Sequence, residues 1–313
     1  MSMSRDICII GGGAVGSTLA YFLYRAGVTD IPVYFGREET VRAVLREKWV
    51  RVYDKVENRD YIVPIIPRHY SSPIDKCRFI LNTVKAYSVP ETFRLMEKIM
   101  DVGGVIVMLQ NGIGSLELAE ERFGVRVAGG VVYFGAERVS PVYTVYHGGR
   151  TVIAGCRHGL CMELTELNRV FKLGGLEFRV VSNIDYYRWL KLALNAVVNP
   201  LTAISRSRNS IVLSRPGLEL ASLILAEFIE VAGKHGFRFE LNRLLEYVVN
   251  NVRSTRDNYS SMAQDVLNKS PTEIDFINGF IAKELGGGPS INKIITLMIH
   301  LIEESNKSKN SVQ

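Results

Sequence analysis

The stretch Trp189-Leu-Lys-Leu-Ala-Leu-Asn-Ala-Val-Val-Asn-Pro-Leu-Thr-Ala203 carries Lys191, Asn195 and Asn199 at i, i+4 and i+8 among almost wholly apolar neighbours. At that spacing the three polar groups share one face of a helix. Such groups on an otherwise apolar helix are costly unless they line a polar cleft. The competing reading is a hydrated surface stripe, which the apolar surroundings disfavour. A lysine in a cleft can protonate a substrate oxygen and stabilise negative charge developing on it. Its ordinary pKa of about 10.4 falls with burial, giving a stronger acid that is still protonated near neutrality. Pro200 disfavours the α conformation at Asn199, so the helix is predicted to end or kink there.

A second chemical signal lies near the N-terminus. Gly11-Gly12-Gly13-Ala14-Val15-Gly16 follows an apolar strand pattern and opens a helical one. Gly11 permits a tight turn, Gly13 lets backbone approach a pyrophosphate, and Gly16 lets helix and strand pack closely. The helix start at Ala14 and Val15 offers N–H groups and partial positive charge to an anion. The next strand ends Val33-Tyr34-Phe35-Gly36-Arg37, with an arginine where an NAD site usually has a carboxylate. Arg37 suits a 2′-phosphate, so NADP(H) is favoured over NAD(H). Alternatively, Arg37 is a solvated loop charge and Glu38 or Glu39 takes the ribose. Glu273 also has two readings. Ser270-Pro271-Thr272-Glu273 has capping-box spacing with proline at the first helical position, and Glu273 could instead be catalytic. Asn258 and Ser261 read from sequence as helix-start residues.

Around these residues, β-like runs at 6–10, 31–35, 78–84, 105–109 and 125–132 alternate with helical runs at 14–25, 39–47, 89–100 and 115–122. That alternation predicts a parallel sheet with crossover helices. Runs at 51–54 and 61–65 form an excursion, and 142–147 with 150–154 are expected to make an edge hairpin turning at Gly148-Gly149. From Ile184 onward helices are predicted at 190–198, 217–235, 241–252, 260–267, 271–285 and 291–304, followed by a fraying polar tail at 305–313. The expected organisation is a dinucleotide-binding domain over 1–182 and an all-helical substrate and catalytic domain over 183–313, with the active site in the cleft between them.

Composition narrows the class. The 313 residues are 47% hydrophobic and 22% charged, with no apolar run near the ~18 residues of a membrane span. Together with the absence of a leader-like N-terminus, this predicts a cytoplasmic protein with no membrane partner. The net charge of +6 is scattered, which argues against nucleic acid and fits small anionic substrates. Cys8 reads as a small buried thiol. Cys156 and Cys161 bracket His158, a pattern matching no common zinc site, so no metal is expected; the pair reads as structural thiols or a disulfide. The five histidines give no Ser or Cys nucleophile a partner in view.

Taken together, these motifs resemble the ketopantoate reductase (2-dehydropantoate 2-reductase) family over essentially the whole chain. Besides the glycine turn and the lysine-asparagine helix, the resemblance rests on Val84-Lys85-Ala86, Gln110-Asn111-Gly112-Ile113-Gly114, Ser260-Ser-Met-x-Gln-Asp265 and Thr272-Glu-Ile-Asp-Phe-Ile-Asn-Gly279. It implies a Rossmann-type domain followed by a helical domain, and NADPH-dependent reduction of 2-dehydropantoate to (R)-pantoate for coenzyme A biosynthesis. Lys191 would be the general acid, and Glu273 would hold the substrate hydroxyl and the lysine. Asn195, Asn199, Ser261 and Asn258 would bind substrate, with Asn111 and Lys85 between substrate and cofactor and Arg37 at the 2′-phosphate. Asn209 matches a family polar position, although the Ser205-Arg-Ser-Arg208 stretch before it departs from the family's usual form. Members occur as monomers or dimers, and the helical half is a surface on which a homodimer could form. The rivals are a reductase or dehydrogenase of another 2-oxo or 3-hydroxy acid and a non-catalytic dinucleotide-binding regulator. A regulator has no need of a proton donor, so the Lys191, Asn195 and Glu273 set argues against it.

Overall fold

The first strand, β1 (Ile7–Ile10), is apolar at every position and completely buried. Its alternation sends Ile7 and Ile9 into one core and Cys8 and Ile10 into another, as expected of a parallel strand covered on both faces. The computed structural model describes residues 6–157, 159 and 161–310. His158 and residues 311–313 of the tail therefore lie outside the described residues. The chain forms two compact units, one running to Gln110 and including 114–187, the other made of Asn111–Ile113 with the chain from Arg188 onward.

In the first unit the remaining strands are β2 (Ile31–Phe35), β3 (Trp49–Asp54), β4 (Arg59–His69), β5 (Cys77–Asn82), β6 (Met100–Met108), β7 (Val127–Ser140), β8 (Tyr143–Gly155) and β9 (Glu177–Val180). Among the described residues they form one sheet in the order β3-β4-β2-β1-β5-β6-β7-β8-β9, with a further β3–β8 pairing. β1 pairs in parallel with β2 and β5, and β6 with β5 and β7. The helices of this unit are α1 (Ala14–Arg25), α2 (Glu38–Glu47), α3 (Val89–Ile99), α4 (Ser115–Phe123) and α5 (Leu164–Leu173).

Gly148-Gly149 is not a hairpin turn but part of the continuous β8, which pairs antiparallel with β7. Both glycines have positive φ (109° and 85°), and they bend the strand where its register shifts. The Tyr146 hydroxyl donates to the Gly149 carbonyl across that bend. The true turn lies between Ser140 and Tyr143, at Pro141, which presets the turn backbone. Cys8 is not a lone thiol: it is joined to Cys77 on the neighbouring β5, with the Cα atoms 5.8 Å apart, and Cys156 is joined to Cys161.

The second unit is helical. It holds most of α6 (Ile184–Ser205), then α7 (Arg215–Lys234), α8 (Leu241–Ser254), α9 (Ser261–Leu267), α10 (Asn278–Glu284) and α11 (Ile291–Asn310). Its core packs Leu192, Ala196 and Val197 with Phe228, Val248 and Ile299. The helix with the polar face does not end at Asn199, because Pro200 lies inside the 22-residue α6. Proline removes the N–H that would satisfy the Ala196 carbonyl. Asn278 Nδ2 donates to that carbonyl instead, at 2.9 Å, and to Asn292 Oδ1 at 2.8 Å, while Asn292 Nδ2 donates to Glu227 at 2.7 Å. Nor is 271–285 one helix. The segment after α9 is irregular, with one short turn at Ile274–Phe276 before α10. The residues after Glu304, expected to fray, continue α11 as far as Asn310.

Candidate active site

In the first unit, three glycines shape the turn between β1 and α1. Gly11 has φ 96°, and a Cβ there would stand 2.9 Å from the Val84 backbone N. A Cβ on Gly16 would overlap the Gly11 carbonyl and lie 2.8 Å from Thr83 Oγ1. Thr83 Oγ1 donates to the Gly11 carbonyl at 2.6 Å, tying the turn to the end of β5. Gly13 differs, since a Cβ there would meet nothing within 4 Å. Its freedom is therefore not required by packing; it leaves open space over the start of α1, whose first turn has no side-chain cap. Uncapped N–H groups of Ala14 and Val15 beside an open backbone fit a pyrophosphate.

Arg37 is exposed at the tip of β2 and is the extended N-cap of α2. Near it stands Arg138 of β7, half-buried, with Nε donating to the Ser140 carbonyl at 3.3 Å. Burial and the neighbouring Arg37 charge both hold Arg138 below the usual arginine range. Neither arginine has an ion pair among the described residues. Two guanidiniums without a carboxylate fit a dianionic phosphate. Glu38, the competing ribose ligand, pairs with Arg42 at 3.3 Å. Lys85 is half-buried on the loop after β5. Nearby, Gln110 Nε2 donates to the Asn82 and Val84 carbonyls (3.0 and 3.1 Å), while its buried Oε1 has no partner among the described residues. Sequence reasoning gave no role to Arg138 or Gln110. Gln110 lies in the Gln110-Asn111-Gly112-Ile113-Gly114 run; Arg138 carries no local signal.

In the second unit, α6 presents Lys191, Asn195 and Asn199 in successive turns. Asn195 and Asn199 are buried and Lys191 is half-buried. Packing around the ammonium strips it of water and lowers its pKa to about 8. Asn195 Nδ2 donates to Asn111 Oδ1 at 3.2 Å, and Asn111 Nδ2 donates to Glu273 Oε2 at 3.3 Å. The loop bearing Asn111 is held by the backbone: Ile113 N donates to the Phe276 carbonyl at 3.0 Å. Gly112, at φ 83°, leaves no room there for a Cβ, which would overlap that same carbonyl. The helical face thus reaches Glu273 through Asn111. Glu273 is buried and its side chain caps no helix, so the capping-box reading fails: tertiary docking of 111–113 overrides the local pattern.

Among the described residues no hydrogen bond joins the Asn258 or Ser261 side chain to this chain of groups. Asn258 is half-buried, and its carbonyl accepts from Asn209 N at 2.9 Å. Ser261 is exposed at the first turn of α9. The helix cap is its neighbour Ser260, whose hydroxyl accepts from Ala263 N and shares a 2.6 Å hydrogen bond with Thr202 of α6. The Thr202 hydroxyl in turn faces the Val198 and Asn199 carbonyls (2.7 and 3.0 Å), so this pair ties the start of α9 to the polar helix. Asn209 is buried and binds the Thr255 carbonyl and hydroxyl, both at 3.1 Å. Among the described residues no group of three or more His, Cys, Asp or Glu could hold a metal, and no helix is long and apolar enough to cross a membrane. A desolvated lysine one turn from an amide that leads to a carboxylate is a set able to donate a proton and orient a hydroxyl.

The chain is similar to known proteins over most of its length. The family model described as ketopantoate reductase PanE/ApbA matches residues 7–159, and that for the PanE/ApbA C terminal matches 183–302. The 2-dehydropantoate 2-reductase of Archaeoglobus fulgidus is 30% identical over 306 residues, covering 96% of this chain and 98% of that protein. Two solved structures share the fold. D-mandelate dehydrogenase with NADH and anilino(oxo)acetate has a TM-score of 0.87 at 22% identity, covering 96% of this chain and 99% of that one. The PanE/ApbA family ketopantoate reductase from Ralstonia eutropha has a TM-score of 0.83 at 23% identity, with the same coverage. The chain belongs to the ketopantoate reductase family.

Proposed function

We propose that the protein reduces 2-dehydropantoate to (R)-pantoate with NADPH. The observation that carries this reading is the hydrogen-bonded series Asn195–Asn111–Glu273, with the desolvated Lys191 one helical turn before Asn195 on α6. A bound nicotinamide dinucleotide supplies the hydride. Lys191 gives its proton to the ketone oxygen as negative charge develops there, and solvent returns the proton afterwards. With a pKa of about 8, the ammonium is ~90% protonated at pH 7. Glu273 accepts from the substrate hydroxyl, while Asn195, Asn199, Asn258 and Ser261 bind the rest of the substrate, with Ser261 on its carboxylate. Gly11, Gly13, Ala14, Val15 and Gly16 cradle the pyrophosphate. Lys85 and Asn111 serve between cofactor and substrate. Arg37 and Arg138 take the 2′-phosphate, which is the reason to favour NADPH over NADH.

The likeness to D-mandelate dehydrogenase supports one other reading, reduction of a different 2-oxo acid on the same scaffold. The test is kcat/KM for 2-dehydropantoate and phenylglyoxylate, each with NADPH and with NADH. The proposal expects 2-dehydropantoate with NADPH to exceed the other three pairings at least tenfold. Preference for phenylglyoxylate would transfer the assignment to the second reading, and preference for NADH would remove the role of Arg37 and Arg138.

A further inference from the structure

Three arginines separated by up to fifty positions in sequence, Arg206, Arg208 and Arg256, line one open groove of about 640 Å³ in the helical unit, together with Ser210 and Tyr259. The two loops that form it are joined by backbone hydrogen bonds, Asn209 N to the Asn258 carbonyl at 2.9 Å and Ser210 N to the Arg256 carbonyl at 3.1 Å. The Arg208 guanidinium lies 5.5 Å from the Tyr259 ring centre and donates to the Asp257 carbonyl. Arg206 sits at φ 49°, a conformation unfavourable to a residue with a Cβ.

Charge in the groove is unbalanced. Among the described residues the one carboxylate within ion-pair distance of these arginines is Asp257, 4.0 Å from Arg256 Nε and largely exposed. Neither Arg206 nor Arg208 has an ion pair among the described residues, and the Ser210 and Tyr259 hydroxyls make no hydrogen bond there. The guanidiniums that line the groove carry planar forks that match phosphate oxygens in paired hydrogen bonds. Uncommitted hydroxyls on the same walls can donate to the same oxygens.

We infer that this groove is a binding site for the phosphate or diphosphate group of a small anionic molecule, held by Arg206, Arg208 and Arg256. The site does not depend on the reductase reading. It is tested by calorimetric titration of the full-length protein with inorganic pyrophosphate, at ionic strength matched with chloride, alone and with saturating NADPH. The expected result is one pyrophosphate site that persists with the dinucleotide present. Affinity should fall at least tenfold in Arg206→Gln and in Arg256→Gln, and binding should vanish in the double variant, with thermal unfolding and turnover unchanged. Hydrogen exchange on the wild-type protein gives a second measurement free of substitutions, in which pyrophosphate should protect residues 206–214 and 255–259. The inference is overturned by equal affinity in the double variant, by competition from the dinucleotide, by protection elsewhere, or by no binding beyond that of chloride.

Discussion

At the scale of single residues, Lys191 carries the sharpest expectation. Burial lowers its pKa to about 8, so the protonated form that donates to the ketone is lost as pH rises through that value. The kcat/KM for ketone reduction should therefore be flat near neutrality and fall tenfold per pH unit well above pH 8, a limb that Lys191→Arg should move upward or remove. Stability carries the opposite sign. The unfolded lysine binds its proton more tightly than the folded one, so folding should gain stability as pH rises between about 8 and the ordinary lysine value. Asn111 holds both Asn195 and Glu273, so Asn111→Ala should lower kcat by about tenfold to a hundredfold, an effect read by steady-state kinetics beside an unchanged circular dichroism spectrum. The polar face of α6 was legible because its residue types are costly on an apolar helix. The link to Glu273 was not, because 162 residues separate Glu273 from its Asn111 partner and Ser270-Pro-Thr-Glu imitates a helix start.

At the scale of elements, the glycine turn and the proline inside α6 can be tested separately. Gly13→Ala adds a methyl group to open space, so it should change unfolding free energy by less than about 1 kcal/mol while weakening dinucleotide binding by tenfold or more. Gly16→Ala drives a methyl into the Gly11 carbonyl and should cost about 1–3 kcal/mol of stability as well. Chemical denaturation and fluorescence titration separate the two outcomes. In α6, Asn278 replaces the donor that Pro200 lacks. Asn278→Ala should cost about 1–3 kcal/mol, and Pro200→Ala, which restores an N–H facing Ala196, should recover part of that loss in the double variant. Simple additivity of the two substitutions would contradict this account of the helix. Elements governed by local pattern, such as β1, α1 and β2, were legible almost to the residue. The long β7–β8 pair was not, because Gly148-Gly149 look like a turn and act as a bend. The 271–285 run is not one helix because the Phe276 carbonyl, which a continuous helix would bond to Phe280 N, accepts from Ile113 N of the docked loop instead.

At the scale of the whole molecule, fold class was readable from the change of periodicity near residue 184, where alternating strands and helices give way to helices alone. Charge placement was not readable. The +6 net charge is scattered in sequence, and only folding puts Arg138 near Arg37 and gathers Arg206, Arg208 and Arg256 at one groove. Double substitution of Arg37 and Arg138 by Met should reduce the preference for NADPH over NADH at least tenfold, with dissociation constants of both cofactors as the readout. The central claim is that the family's reduction of a keto acid runs here on a proton from Lys191. Its most direct test is single-turnover oxidation of NADPH at 340 nm with 2-dehydropantoate, in the wild-type protein and in Lys191→Ala. The rate should fall by roughly 10²–10⁴, about 3–5 kcal/mol in the barrier, with NADPH affinity unchanged. A variant that keeps its rate within threefold, or a wild-type protein that binds NADPH and leaves 2-dehydropantoate unreduced, would contradict it.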